Sequence, residues 1–192
     1  AGFRLFAPIL FIFFQENGLN FTEIAFLNSV FFAGMVLFEV PSGIFADHYG
    51  RKTTIIFSSS FYIIASLLLG YGNSLWIFLV AMFIYGMGEA FISGSDAAII
   101  YDSLKETKQE NEFGKAFGQK WAYFSYGIGI SALFASLLSS LGYRFLFLIT
   151  GFFALISFLL AVSIIEPPLH KKQAQRRYFK HLKEAMKFII TH

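Results

Sequence analysis

Long apolar stretches alternate with short polar breaks along this chain. The stretches run close to the roughly 20 residues that carry an α-helix across about 30 Å of hydrocarbon. Six of them lie at 1–17, 22–46, 53–71, 75–101, 116–140 and 143–165, and each predicts a transmembrane helix. The breaks carry turn and cap chemistry: Glu16-Asn17-Gly18, Asn20 with Glu23 three residues on as a capping box, His48-Tyr49-Gly50, Gly72-Asn73-Ser74, and Gly142. Breaks this short predict antiparallel neighbours. After Glu166-Pro167-Pro168 the pattern changes to a polar, basic segment, since the two prolines end the sixth helix. There Tyr178, Leu182, Ala185, Met186 and Ile189 recur at helical spacing with Lys180, Lys183 and Lys187 among them. That spacing predicts an amphipathic helix on the membrane surface, with a solvated linker as the alternative. The division is thus a six-helix transmembrane unit, 1–166, followed by a cytoplasmic segment, 167–192. The first stretch starts without Met and holds Arg4, so it reads as the remainder of a longer span. The stop at His192 within the surface segment predicts that more sequence follows.

The cations fix an orientation. Of the 15 Lys and Arg, one side of the membrane receives Arg51 and Lys52, then Lys105, Lys108, Lys115 and Lys120, then those of the C-terminal segment. Arg144 alone falls on the other side, and Arg4 lies within the first span. By the positive-inside rule both ends of the chain are cytoplasmic, with outer turns near 18–21, 72–74 and 140–144. The short cytoplasmic loops suit a bacterial inner membrane.

Composition agrees: 56% of the 192 residues are hydrophobic and 14% charged, 27 are Phe, and mean hydropathy is +0.62. Runs such as Phe11 to Phe14 exclude a soluble enzyme or a nucleic-acid binder, and the net charge of +3 follows from the loop cations without invoking nucleic acid. The absence of Cys removes disulfides, thiolate nucleophiles and Cys-based zinc sites. His48, His170, His181 and His192 sit in loops or the tail, so no metal site and no cofactor is expected. Catalytic motifs fail as well. Tyr101-Asp102 has no Gly-x-Gly-Asp partner, no span carries a His for a serine nucleophile, and no Gly-rich loop ends in Lys-Ser/Thr.

Ionisable groups inside a membrane cost a few kcal/mol each on insertion scales and are candidate functional sites. Here they are Arg4, Glu39, Glu89, Asp96 and Lys120. At about 100° per residue, Tyr85, Glu89, Ser93 and Asp96 share one face of the fourth helix. Asn28, Phe32, Met35 and Glu39 do so on the second, and Gln119, Tyr123, Tyr126 and Ile130 on the fifth. Three such faces suit a water-accessible cavity that binds substrate or protons, lined by Glu39, Tyr85, Glu89, Ser93, Asp96, Gln119, Tyr123 and Tyr126. The alternative is a dry bundle in which Arg4 and Lys120 neutralise two of the acids. Small residues mark packing faces: Gly118, Ala122, Ser125, Gly129 and Ala132 on the fifth helix, and Gly86, Ala90, Gly94 and Ala97 on the fourth.

The loop between the second and third spans reads Gly43-Ile44-Phe45-Ala46-Asp47-His48-Tyr49-Gly50-Arg51-Lys52. It closely resembles the Gly-x-x-x-Asp-Arg/Lys-x-Gly-Arg/Lys-Arg/Lys signature of the major facilitator superfamily, in its place between helices 2 and 3. His48 stands where Arg or Lys is usual. Glu39-Val40-Pro41-Ser42-Gly43, the stretch from Gly94 to Asp102, and Glu166-Pro167 add to the likeness. Two drug-antiporter features are replaced: Met82 stands where an Arg is common, and Gly127-Ile128-Gly129 where a Gly-Pro-x-x-Gly-Gly run is common.

The resemblance implies an all-α fold, the N-terminal 3+3 inverted-repeat half of a twelve-helix carrier, with a C-terminal six-helix half as its partner. It implies alternating access around a midplane site, with a small molecule as substrate. The aromatic and acidic lining points to efflux of an amphipathic or cationic compound, and Glu39, Glu89 and Asp96 could bind a proton or a cationic substrate, which makes protons a candidate coupling partner. Gly43, Asp47, His48, Gly50, Arg51, Lys52 and Asp102 would form the cytoplasmic gate. Within it, Asp47 would pair with Arg51 or with a helix N-terminus of the other half, and Arg51 in turn would meet Asp102. The rival reading is a six-helix scaffold or sensor with a basic tail and no transport.

Overall fold

The computed structural model describes residues 9–138, 140 and 142–165, and among them every regular element is helical. They are α1 (Leu10–Glu16), α2 (Phe21–Tyr49), α3 (Arg51–Tyr71), α4 (Leu75–Ser93), α5 (Ser95–Glu106), α6 (Phe113–Leu138) and α7 (Tyr143–Ser163), with a 3-10 turn at Glu110–Glu112. Four helical stretches, Phe21–Tyr49, Arg51–Tyr71, Leu75–Glu106 and Tyr143–Ser163, are long and apolar enough to cross a membrane. The first predicted span is described only from residue 9, so Arg4 lies outside the described residues. So do Glu166 to Pro168 and the predicted surface helix in 167–192.

Local chemistry sets the helix ends. Asn20 caps α2 through a reciprocal box: its side chain accepts from the Glu23 amide at 3.0 Å, and the Glu23 carboxylate accepts from the Asn20 amide at 2.8 Å. Between α2 and α3 the whole connection is Gly50 at φ 96°, a left-handed conformation that a Cβ would strain. The expected single helix over 75–101 is two. It breaks at Gly94, resumes at Ser95 and runs on to Glu106. At the break the Ala90 carbonyl receives side-chain hydroxyls from Ser93 at 3.1 Å and Ser42 at 3.0 Å, the kind of hydroxyl insertion that bends helices.

Packing follows the small residues on α4. A Cβ on Gly86 would sit 2.1 Å from the Phe31 carbonyl oxygen, and one on Gly34 would sit 2.5 Å from that of Phe83. The backbones of α2 and α4 therefore touch directly, as small residues permit in lipid. From α3, Ser58 donates to the Gly88 carbonyl at 2.7 Å and holds α4 on its other side. Beside α3 lies α7, where Gly151 approaches Ser66. The buried core gathers Phe13, Phe14, Leu27, Leu69, Phe78, Leu146 and Phe147. Its rings meet edge and tilt, Phe13 lying 4.5 Å from Phe147 and 5.5 Å from Phe78. At the same end Arg144 donates to the Asn17 side-chain oxygen at 3.1 Å, which ties the start of α7 to the end of α1. Among the described residues α6 is loosely held: it leans on α5 and, more lightly, on α7. No described atom comes within 4 Å of a Cβ placed on Gly118 or Gly129, so this expected packing face is uncovered among the described residues.

Candidate functional site

Two acids of the predicted cavity lie beside the break in the fourth span. Glu39, exposed on α2, accepts a hydrogen bond from Ser93 of α4 at 3.1 Å. Ser93 and Ser42 both reach the Ala90 carbonyl, and Ser42 also lies 3.0 Å from the Glu39 carbonyl. Carboxylate, two hydroxyls and two carbonyls thus form one network joining α2 to the end of α4. Pro41 has no amide hydrogen, so it leaves one helical carbonyl of α2 without its usual donor within this stretch. Two residues past Gly94, in the first turn of α5, Asp96 forms an ion pair with Lys120 of α6. Both side chains keep part of their surface, 23% for Asp96 and 29% for Lys120. The Lys120 ammonium also stands over two rings, 5.0 Å from the centroid of Phe117 and 4.7 Å from that of Trp121.

The other cavity candidates are dispersed. Tyr85 is buried in an aromatic group, 5.6 Å from Phe31 and 5.2 Å from Tyr62. Glu89 is half-buried on α4. Gln119, Tyr123 and Tyr126 stand on the outside of α6, the two tyrosines 73% and 67% exposed. The structure therefore brings together Glu39 with Ser93 and Asp96 with Lys120, and sets the α6 polar face apart from both. Sequence reasoning passed over Phe113, Phe117, Trp121 and Phe124. They form a ladder along α6: Phe113 stacks on Phe117 at 5.5 Å, Phe117 meets Trp121 edge-on at 6.3 Å, and Trp121 meets Phe124 at 5.4 Å. Tyr101 of α5 continues it, 5.6 Å from Phe113. The signal was present as a spacing of four, four and three residues, but 27 Phe in the chain hide any one aromatic stripe.

The signature loop has its own order. Asp47, in the last turn of α2, accepts from Arg51 at the start of α3 at 3.1 Å, both side chains about one-quarter exposed. A carboxylate at a helix C-terminus opposes the helix dipole, and the guanidinium across Gly50 offsets it. His48 is exposed and packs edge-on against Tyr49 at 4.6 Å. Lys52 lies in the first turn of α3 and Gly43 is half-buried in α2. Asp102 is buried on α5, which packs against α3. Among the described residues no group of His, Asp or Glu is arranged to hold a metal ion.

The Major Facilitator Superfamily model matches residues 1–192. An uncharacterised MFS-type transporter of Bacillus subtilis, YxaM, is 28% identical over 192 residues, 97% of this chain and 47% of the relative. An uncharacterised transporter of Buchnera aphidicola is 28% identical over 177 residues, covering 91% of this chain and 43% of that protein. The quinolone resistance protein NorA of Staphylococcus aureus is more distant, 19% identical over 167 residues, 87% of this chain and 42% of NorA. The chain thus spans less than half the length of these relatives. With four apolar helical stretches of spanning length and a match along its whole length, it is an integral multi-pass membrane protein that belongs to the Major Facilitator Superfamily.

Proposed function

We propose that this chain is the N-terminal half of a secondary active carrier that exports an amphipathic, cationic small molecule by alternating access, coupled to protons. The observation that carries this reading is the pair of carboxylates at the α4–α5 break, Glu39 with Ser93 and Asp96 with Lys120. Such groups are costly in lipid and suit exchange of a proton or a cation. Distant likeness to a quinolone resistance protein supports export as the direction. In this reading residues 1–166 form the six-helix half and 167–192 begin the cytoplasmic connection to a second six-helix half. The membrane is a bacterial inner membrane, with both ends of this chain in the cytoplasm. Asp47 and Arg51 latch the inner end of α2 to α3, where a gate between halves would close.

The test is substrate movement by the full-length protein in proteoliposomes under an imposed pH gradient, beside Glu39→Gln and Asp96→Asn. Gradient-driven movement that both variants lose while remaining folded supports the reading. A folded protein that moves nothing under any gradient favours the scaffold instead.

A further inference from the structure

The Asp96–Lys120 pair differs from an ordinary ion pair in what surrounds it. Two aromatic rings stand at 84° to each other beside the ammonium, and a carboxylate touches it. That is how a receptor holds an organic cation: ring faces offer their negative quadrupole and the carboxylate supplies the charge. Phe117 and Trp121 flank Lys120 on the same helix, and Phe117 is braced by Phe113 and Trp121 by Phe124. The rings are therefore held by the ladder and not by the lysine. Lys120 itself is a flexible four-carbon stem with a compact charge, able to swing away and leave the box standing. The box is open on one side, because Trp121 is 49% exposed and neither ion of the pair is sealed.

Resting on the carrier reading above, we propose that Asp96, Phe117 and Trp121 form an organic-cation site whose resident ligand is the protein's own Lys120 ammonium. Substrate enters by displacing Lys120, so the lysine acts as a tethered competitor. It keeps the carboxylate neutralised when no substrate is bound, and it sets a threshold affinity that weakly bound amines do not pass. The ring ladder from Tyr101 to Phe124 continues the same surface on either side of the box.

The probe is tetraphenylphosphonium, a lipophilic cation with no proton to donate, titrated into the full-length carrier in detergent by calorimetry. Its control is tetraphenylborate, of the same shape and opposite charge. Lys120→Met removes the competitor and is expected to tighten tetraphenylphosphonium binding about tenfold, while Lys120→Arg leaves it weak. Asp96→Asn is expected to weaken binding about tenfold relative to Lys120→Met, and the double variant follows Asp96→Asn. Tetraphenylborate does not tighten. A merely structural pair moves both single variants in the same direction, and that outcome overturns the site. So does equal tightening for both probes, or a Lys120→Met protein that binds no better than the parent. If Lys120→Met does not fold, Lys120→Gln takes its place with the same expectation. Export that persists in proteoliposomes while these titrations fail overturns the site and leaves the carrier standing. A folded parent protein that exports nothing under any gradient overturns the carrier.

Discussion

Contact distances at single residues rank the glycines of the chain. Gly86 has backbone 2.1 and 2.9 Å from where a Cβ would go, from Phe31 and Met35, and backbone cannot step aside as a side-chain tip does. Gly86→Ala should therefore separate α2 from α4 and cost about 1–3 kcal/mol, the range of an overpacked core. Gly118→Ala on α6 meets no described atom within 4 Å and should stay within about 0.5 kcal/mol of the parent. Thermal unfolding in one detergent, read by helical circular dichroism, checks both, and equal shifts would refute the ranking. Sequence alone marked both glycines as packing positions. It had no means of telling the face that meets a partner from one that does not, because that depends on the neighbouring helix.

At the scale of the element, the expected helix ends were the legible part. The Asn20–Glu23 box and the turn at Gly50 formed as their local chemistry requires. Interhelical pairing was less legible. Helical arcs placed Glu39 and Ser93 on polar faces of separate helices, but which residue meets which depends on crossing geometry that one helix does not encode. The break at Gly94 was missed because a glycine in an apolar run reads equally well as a packing residue. Gly94 has φ −90° and no described atom within 4 Å of a Cβ, so it accepts a side chain without strain. Gly94→Ala should leave stability unchanged or raise it by up to about 1 kcal/mol through better helix propensity. It should also slow transport if the bend takes part in the cycle, as melting temperature and initial rates would show together. Asp47→Asn belongs to this scale too. The Asp47–Arg51 pair is partly solvated and worth under about 1 kcal/mol. Stability should hardly change, yet transport should fall several-fold, since the pair orders the connection between α2 and α3. A fall in melting temperature matching the loss of transport would contradict that assignment.

For the molecule as a whole, strength is uneven. Among the described residues, the α2–α4 and α3–α7 contacts and the phenylalanine core make one well-packed body, against which α6 stands lightly except at its end, where Ala135 enters the core. The apolar run lengths disclosed the membrane class and four of the six expected spans, those now seen in Phe21–Tyr49, Arg51–Tyr71, Leu75–Glu106 and Tyr143–Ser163. They could not disclose this unevenness, which arises from how sequence-distant faces meet. Phe13 packs on Phe147, and Asn17 holds Arg144 across 127 positions of chain. These bonds join residues on opposite sides of the polar turn at 107–112, so the peptide link there is not what keeps the two parts together. This part of the protein is therefore expected to assemble from two polypeptides, cut after Lys108, that find each other in the membrane. Co-expressed pieces should co-purify through a tag on either one, and Phe13→Ala with Asn17→Ala should weaken that association without abolishing it, because α3 still packs on α7.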